Sequence, residues 1–319
     1  MGILQTQLRS WTKAELETRI VRYADLKPCF NAFIDTRTPG SEAKENFTII
    51  GPGVSENPEQ YVHITEPHGF NIGGARQPPG CVNSQHSHDT AEVFVVHSGH
   101  WRFDFGEHGE DAQVMIGPGD VISLPVRTFR GFTNVGEESG FLFAVLGKDD
   151  PGRVLWAPAV FDMAKDYGLV LLESGQLVDT MAGQEVPPDA RPMPITSTSQ
   201  VTEMKRVSQG EAEHFVWRNS DNSGAIATKI IGNDGPLNWP HGFVVERLDL
   251  VALKVNALKI ASGPQVLFVH RGDLIVRWSE GQAELGPGDT ISIPSGVEWK
   301  LATRGGCMVY RVTAIEVVG

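Results

Sequence analysis

The chain has 319 residues, which is enough for two domains with sizeable hydrophobic cores. Its 27 Lys and Arg residues against 39 Asp and Glu residues give a formal net charge of −12, which argues against nucleic acid as a partner and against a polybasic membrane-binding patch. No apolar run approaches the length of a transmembrane helix, and the N-terminal segment MGILQTQLRSW lacks the apolar core of a signal peptide. Three scattered cysteines imply no disulfide framework, so we expect a cytoplasmic protein.

The first predicted element is a helix that begins after Thr12 and ends near Leu26, before a Lys-Pro pair. Thr12 and Glu15 have the spacing of a capping box. Residues 30–60 have the Gly-Pro turns of irregular structure. Strands are then predicted over roughly 60–150, because Gly and Pro recur there at the intervals expected of an all-β barrel.

A second helix is predicted from Pro158 to Tyr167, with Pro158 in its first turn and Gly168 just beyond its end. The segment between about 175 and 205 includes EVPPDARPMPITSTSQ, and its content of Pro, Ser and Thr predicts a linker. Strands are predicted to resume near Phe215 and to continue to the end of the chain. We assign no chemistry to either helix.

The segment GCVNSQHSHDTAEVFVVHSG, residues 80–99, has a spacing of polar side chains that suits a metal ion. His86 and His88 are two residues apart, so on a β-strand both imidazoles project from the same face. Glu92 follows four residues later at the start of a predicted strand, and a turn at residues 87–90 would bring its carboxylate toward the two rings. Two imidazoles and one carboxylate form the facial triad that suits Fe(II) and leaves positions open for substrate or O2.

This segment resembles the first sequence motif of the cupin family, in which the two glycines, the two histidines and the glutamate recur at the same spacing. The second cupin motif is matched in spacing by Gly119, Pro125 and Asn134. It differs at two positions, because Arg127 stands where the turn glycine is usual and Arg130 where the fourth ligand, a histidine, is usual. The resemblance implies a double-stranded β-helix of jelly-roll type.

The second half of the chain repeats the pattern of the first half. Residues 67–70 (PHGF) recur at 240–243, an offset of 173, and residues 117–120 (GPGD) recur at 286–289, an offset of 169. The difference falls in a surface hairpin that is shorter in the second copy. The chain is therefore predicted to be all-β and to contain two tandem cupin barrels, as in a bicupin.

Four segments follow from this repeat. We expect an N-terminal helical or irregular extension over residues 1–45 and a first barrel with the metal site over 46–155. A helix and a Pro/Ser/Thr-rich linker are expected over 156–210, and a second barrel over 211–319.

The second barrel has lost the residues of the metal site. At the same offsets, the four ligand positions are occupied by Lys259, Ala261, Gln265 and Trp299. Divalent transition metals such as Fe(II) prefer imidazole or carboxylate ligands in such a site, so these four side chains form no plausible metal site. We expect the second barrel to be a structural support or to bind something other than a metal.

Arg130 leaves several alternatives open for the first barrel. If it points inward, its guanidinium either binds the carboxylate of an anionic substrate or forms an ion pair with Glu92 that takes the space of the metal. If it points outward, Phe129 or Phe132 fills the core instead. Arg127 has the same options.

The remaining candidates for a fourth ligand are the other histidines of the first half, His63, His68, His97, His100 and His108. Counting by twos from Glu92 along a strand places His97 on the opposite face. His68 has a counterpart, His241, in the copy without ligands, so a turn or packing role is favoured. The phenylalanines expected mainly in the barrel core, with one or two walling a substrate pocket, are Phe94, Phe103, Phe105, Phe129, Phe132, Phe141 and Phe143.

The resemblance implies a metal-dependent enzyme whose active site lies inside the first barrel. The expected activity is that of a dioxygenase acting on a small aromatic, diketone or carboxylate-bearing compound, as in bicupins similar to quercetin dioxygenase or gentisate dioxygenase. Fe(II) is the expected metal, with Mn, Ni or Zn as alternatives, and Arg130 would orient an acidic group of the substrate. A metal-free small-molecule-binding protein and a non-redox isomerase or lyase remain alternatives. Bicupins are often dimers, so a homodimer or higher homo-oligomer is expected.

Overall fold

The computed structural model describes residues 10–222, 224–252, 256–257 and 263–315. Two compact units are present: one comprises residues 27–219, and the other joins the described residues before 27 to those from 220 onward. Both units are built mainly from antiparallel β-sheets, which confirms the all-β fold with two cupin barrels. Within the described ranges, no helix is both long and apolar enough to cross a bilayer.

The first described elements belong to the second unit. Helix α1 (Lys13–Glu17) has the predicted capping box, since Thr12 Oγ1 accepts a hydrogen bond from the Glu15 amide and the Glu15 carboxylate accepts one from the Thr12 amide. The prediction that this helix continues to about Leu26 is wrong. Strand β1 (Ile20–Val21) follows instead, because its β-branched residues pair with a strand of the second barrel, and this contact overrides local helix propensity.

The first barrel lies in the unit of residues 27–219. Its strands are β2 (Glu45–Ile50), β3 (Val62–Ile64), β4 (Phe70–Gln77), β5 (Val82–His88), β6 (Glu92–Ser98), β7 (Trp101–Phe105), β8 (Ala112–Ile116), β9 (Val121–Leu124), β10 (Arg130–Asn134), β11 (Gly140–Gly147), β12 (Val154–Trp156), β13 (Leu169–Leu171), β14 (Leu177–Asp179) and β15 (Val216–Trp217). One sheet has the order β12-β5-β10-β7-β8 and a second has the order β15-β9-β6-β11-β4-β2-β3. Strands β13 and β14 pair as a separate hairpin.

The segment that follows the first barrel packs against it. Helix α2 (Pro158–Asp166) has the predicted start, and Gly168 follows its end with a positive φ of 70°. The segment predicted as a linker contains a short helix, α3 (Thr198–Thr202), and a second short helix, α4 (Gln209–Glu213), follows it. It is anchored to the barrel, for example by a 2.6 Å hydrogen bond from Thr196 Oγ1 to the carbonyl of Trp156. This segment is therefore part of the first unit.

The second barrel consists of two sheets. Its remaining strands are β16 (Ala227–Ile231), β17 (Phe243–Leu250), β18 (Asn256–Ala257), β19 (Gln265–Gly272), β20 (Leu274–Trp278), β21 (Gly281–Leu285), β22 (Thr290–Ile293), β23 (Trp299–Ala302) and β24 (Cys307–Ala314). The sheets have the orders β1-β22-β19-β24-β17-β16 and β18-β23-β20-β21. Short 3-10 helices cover Tyr23–Asp25, Thr180–Ala182 and Asn219–Asp221.

The aspartate of each Gly-Pro-Gly-Asp turn contacts an arginine that follows a short strand outside the repeated motifs. Arg22, which follows β1, contacts Asp289 at 2.7 Å, and Arg218, which follows β15, contacts Asp120 at 3.4 Å. Strand β1 pairs with β22, and strand β15 pairs with β9, the equivalent strand of the first barrel. The repeat therefore extends to the helix-strand segments that pack on each barrel, a relationship that the sequence analysis missed.

Candidate metal centre

Three neighbouring strands, β5, β10 and β12, place His86, Arg130 and Trp156 on one wall of the first barrel, whereas Glu92 belongs to β6 of the other sheet. In the antiparallel pairing of β5 with β10, His86 is the direct Cα partner of Arg130. On the other side of β5, His86 is the partner of Trp156 of β12. Directly opposed residues project from the same face of a sheet, so Arg130 and Trp156 flank the imidazole of His86.

The three side chains with metal-binding spacing come together in the structure. His86, His88 and Glu92 are all buried, and one potential ligand atom from each lies within 4.8 Å of the others. The ring centroids of the two histidines are 4.9 Å apart, and His88 Nε2 is 3.5 Å from Glu92 Oε1. The turn between β5 and β6 that brings Glu92 back lies at residues 89–91.

The hydrogen bonds of His86 determine which nitrogen is free. Its Nδ1 lies 2.7 Å from the carbonyl oxygen of Ser84, which is closer than the amide nitrogen Nδ2 of Asn83 at 3.4 Å. A carbonyl only accepts, so the shorter contact assigns the proton to Nδ1 and the lone pair to Nε2. His88 Nδ1 is buried and has no partner among the described residues. Burial lowers the pKa of both histidines well below the ordinary value, and the charge of Arg130 lowers it further. Both rings are therefore neutral, as metal ligands must be.

Arg130 is fully buried and contacts Glu92. Its Nη2 donates a 2.9 Å hydrogen bond to Glu92 Oε2, and its Nη1 donates one of 3.2 Å to the carbonyl of Thr128. Arg130 Nε is buried without a partner in the described structure. Burial raises the pKa of Glu92, and the guanidinium opposes that shift. The outward orientation considered for Arg130 is thus not the one adopted.

His86, His88 and Glu92 line one cavity with a volume of about 70 Å³, which is room for roughly five water-sized positions. Apolar side chains form much of its wall, including Phe94, Phe132, Ala144, Leu146 and Trp156. Asn46 and Gln60 also line it, and Asn46 Nδ2 and Gln60 Oε1 are buried without partners among the described residues. The cavity therefore offers ligand atoms, apolar walls and unused polar groups.

A buried carboxyl supports the wall beside His86. The ring of Trp156 lies 5.3 Å from that of His86, and Trp156 Nε1 donates a 2.6 Å hydrogen bond to Glu56 Oε1. Glu56 Oε2 accepts a hydrogen bond of 2.6 Å from the amide of Ile34. Burial raises the pKa of Glu56 to about 8, although both hydrogen bonds lower it. Neither Glu56 nor Trp156 was identified from the sequence, where no local pattern connects them.

A buried ion pair anchors the start of β5. Lys44 and Asp35 are both fully buried and bonded to each other. Asp35 Oδ2 also accepts a hydrogen bond of 2.9 Å from the amide of Ser84, and Lys44 Nζ donates one of 3.3 Å to Asn83 Oδ1. These contacts fix the residues that immediately precede His86. No local sequence pattern indicates this pair.

The other arginine of the second motif lies away from the cavity. Arg127 has a φ of +58°, the left-handed conformation that a glycine takes at the equivalent position, Gly296, with φ of 78°. Its exposed side chain contacts Glu203 at 3.2 Å. Arg127 is therefore a turn residue, and of the two motif arginines only Arg130 contacts a candidate ligand in the described structure.

The other histidines considered as a fourth ligand do not line the cavity that the described residues form. They are His63, His68, His97, His100 and His108. His68 Nδ1 lies 2.6 Å from the carbonyl of Glu66, and its ring packs on Phe70 with centroids 5.9 Å apart. The ring of His241 packs on Phe243 in the same way, at 5.6 Å. This repetition confirms the packing role predicted for His68.

The second barrel presents no comparable cluster in its described part. Gln265 and Trp299, at two of the ligand positions, are buried, whereas Lys259 and Ala261 lie outside the described residues. The group formed by His86, His88 and Glu92 is the one cluster of three or more His, Cys, Asp or Glu side chains with metal-binding geometry that the described chain contains.

The donor set of the first barrel fits a divalent metal ion. Two neutral imidazoles and one carboxylate converge, His86 Nε2 carries a free lone pair, and Glu92 Oε1 does not take part in the hydrogen bond with Arg130. Arg130 reduces the negative charge that would attract the ion, but its Nη2 contacts only the second carboxylate oxygen. The three residues are therefore the ones that would hold the metal.

Comparisons with known proteins identify a cupin domain in the first barrel. Residues 75–146 match the family model of the cupin domain. A germin-like protein of Arabidopsis thaliana, subfamily 1 member 4, is 28% identical over 134 residues, which cover 40% of this chain and 60% of the germin-like protein. The chain thus spans less than two thirds of the length of that relative.

Solved structures resemble the chain along nearly its whole length. The formate complex of oxalate decarboxylase from Lactobacillus farciminis has a TM-score of 0.57 at 11% identity and covers 97% of this chain and 89% of its own. Vicilin from hazelnut, Corylus avellana, has a TM-score of 0.55 at 11% identity and covers 93% of this chain and 85% of its own. At such identities the likeness shows the fold alone. Residues 75–146 thus match a cupin domain, and the chain has the two-barrel fold of these solved structures.

Proposed function

We propose that the first barrel is the active site of a metal-dependent dioxygenase that acts on a compact, carboxylate-bearing compound. The observation that carries this proposal is the convergence of buried ligand atoms from His86, His88 and Glu92, within 4.8 Å of one another, on the wall of one cavity. A metal bound there would act as a Lewis acid and, as Fe(II), as the redox partner of O2. Mn, Ni or Zn would act as a Lewis acid.

The remaining cavity residues are suited to binding and orienting a small substrate. Phe94 and Phe132 provide apolar walls that exclude water from the reacting groups. Asn46 Nδ2 is an unused donor and Gln60 Oε1 an unused acceptor, so a substrate with an oxygen and a hydroxyl group would satisfy both. The cavity volume of about 70 Å³ favours a small compound.

Metal analysis of the purified protein by inductively coupled plasma mass spectrometry tests the ligand set. We expect close to one metal ion per chain, or one after anaerobic loading with Fe(II), and its loss in His86→Ala. His68→Ala is the matched control, because His68 is equally buried but lies outside the cavity lining. Retention of the metal in His86→Ala would refute the proposed ligands.

The reaction class is tested separately by O2 consumption. The Fe(II)-loaded protein is expected to consume O2 with a member of a panel of small keto, hydroxy and dicarboxylic acids, and Glu92→Gln is expected to abolish this. Turnover that does not depend on O2 would indicate an isomerase or lyase that uses the same metal site.

The ion pair between Arg130 and Glu92 favours a second candidate function, that of a metal-free protein that binds small molecules. In that case Arg130 holds the carboxylate that a metal would need. Absence of metal from the wild type even after anaerobic Fe(II) loading, together with a thermal shift caused by a small acid, would support this candidate.

A further inference from the structure

The candidate metal centre has an unusual charge balance because Arg130 lies beside it. Glu92 is the one anionic side chain of the ligand set, and its charge is offset by the guanidinium 2.9 Å away. His86 and His88 must be neutral to bind a metal. The ligands and Arg130 therefore sum to zero, and a divalent ion would leave two uncompensated positive charges.

The surroundings of the site offer little compensation. His86, His88 and Glu92 are each no more than 5% exposed and Arg130 is fully buried, so water cannot screen the excess charge effectively. The adjacent Lys44–Asp35 pair is neutral as a unit. Glu56, on the far side of Trp156, has a pKa of about 8 because of its burial, so it is largely uncharged near pH 7.

Arg130 also has unused hydrogen-bonding capacity. Of its N–H groups, one on Nη2 bonds to Glu92 and one on Nη1 bonds to Thr128, while Nε is buried and has no partner among the described residues. Buried donors without an acceptor are costly, and the group that satisfies a guanidinium best is an oxyanion. Arg130 is not among the described residues that line the cavity, so it is the excess positive charge that favours a negatively charged ligand.

We propose that the metal and a carboxylate ligand bind to this site together, each raising the affinity of the site for the other, with Arg130 as the residue that makes them interdependent. This inference rests on the proposed metal site and deepens it, since it requires an anionic substrate. Linkage makes the coupling reciprocal: the factor by which the anion tightens metal binding equals the factor by which the metal tightens anion binding.

The test measures the affinity of the wild type for Mn(II), an air-stable substitute for Fe(II), by the electron paramagnetic resonance signal of the free ion. Acetate is the probe anion, and the comparison buffer replaces it at equal ionic strength with 2-(N-morpholino)ethanesulfonate, which is much bulkier than acetate. We expect acetate to lower the Kd for Mn(II) by about 10-fold or more, within the range typical of coupled sites. Mn(II) is expected to lower the Kd for acetate by the same factor.

Arg130→Gln is the matched variant, because it removes the charge and retains hydrogen-bonding groups. It should bind Mn(II) without acetate at least as tightly as the wild type binds it with acetate, and the effect of acetate should fall to about 2-fold or less. If Arg130→Gln does not fold, the two-buffer comparison on the wild type decides alone.

The outcomes separate this inference from the proposed function. Equal Mn(II) affinity of the wild type in both buffers, with binding abolished in His86→Ala, would overturn the coupling and leave the metal site intact. Failure of the wild type, with and without acetate, and of Arg130→Gln to bind Mn(II) would overturn the metal site itself, and the coupling with it.

Discussion

Arg130 Nη2 donates a 2.9 Å hydrogen bond to Oε2 of Glu92, and both side chains are buried within the first barrel. Breaking a buried ion pair by removing one partner leaves the other charge without compensation, which costs far more than the net stabilisation the intact pair provides. The pair is therefore a structural element as well as part of the candidate site.

Glu92→Gln and Arg130→Gln are each expected to lower the free energy of unfolding by about 3 kcal/mol, because each leaves one buried charge unpaired. The double variant should be destabilised by less than the sum of the two, with an interaction free energy of about 2 kcal/mol. Urea unfolding of the four proteins measures this cycle. Additive effects would contradict the assignment of a charged pair.

Arg127→Gly is expected to stabilise the protein by about 1 kcal/mol, because Arg127 has a φ of +58° and a side chain is strained in that conformation. Arg127→Ala is the control. It keeps the strain and removes only the exposed contact with Glu203, which contributes little. The urea midpoint should rise for the glycine variant alone, and an equal rise for alanine would exclude backbone strain as the cause.

The part of the site that follows local periodicity could be predicted from the sequence. The two-residue period of a strand is sufficient to put His86 and His88 on one face, and a short turn brings Glu92 back toward them. The repeat of the Gly-Pro-Gly-Asp turns predicted the second barrel. Each ligand and each turn is recognised from residues that are close in sequence, although the two copies of the turn are 169 residues apart.

Long-range features of the site could not be predicted in this way. Glu56 and Trp156 are 100 residues apart and meet only because of the tertiary fold. The orientation of Arg130 depends on its pairing with His86 across two strands, and the early end of α1 depends on pairing with the second barrel. In each case the deciding contact is with another strand or loop, which leaves no local pattern.

The stability of the protein is expected to fall with rising pH in a manner that depends on Glu56. Burial raises its pKa from the ordinary 4.5 to about 8, so the folded state keeps a proton that the unfolded state loses within this window. Its contribution is complete below about pH 4.5 and is lost as the pH rises through about 8. The loss between pH 5 and 8 should be about 2–4 kcal/mol.

Glu56→Gln isolates this effect, because an amide does not titrate. The variant loses one acceptor for the donors Trp156 and Ile34, so its stability should be lower by an amount that does not vary with pH. Urea unfolding at several pH values between 5 and 8 should show the wild type declining relative to the variant. Parallel curves for the two proteins would show that Glu56 does not titrate in this range.

Gly131→Ala is expected to destabilise the protein and to weaken metal binding although it changes no ligand. A Cβ at Gly131 would lie 2.7 Å from the carbonyl oxygen of Asn83, so β10 would have to move away from β5 and take Arg130 from its position beside His86. Such overpacking costs about 1–3 kcal/mol.

Gly210→Ala is the matched control, because a Cβ there meets nothing within 4 Å and alanine favours helix α4. The stability of this variant should rise by about 0.5–1 kcal/mol. Thermal unfolding and Mn(II) binding of both variants provide the comparison, and normal metal affinity in Gly131→Ala would mean that the spacing of β5 and β10 does not determine the geometry of the site.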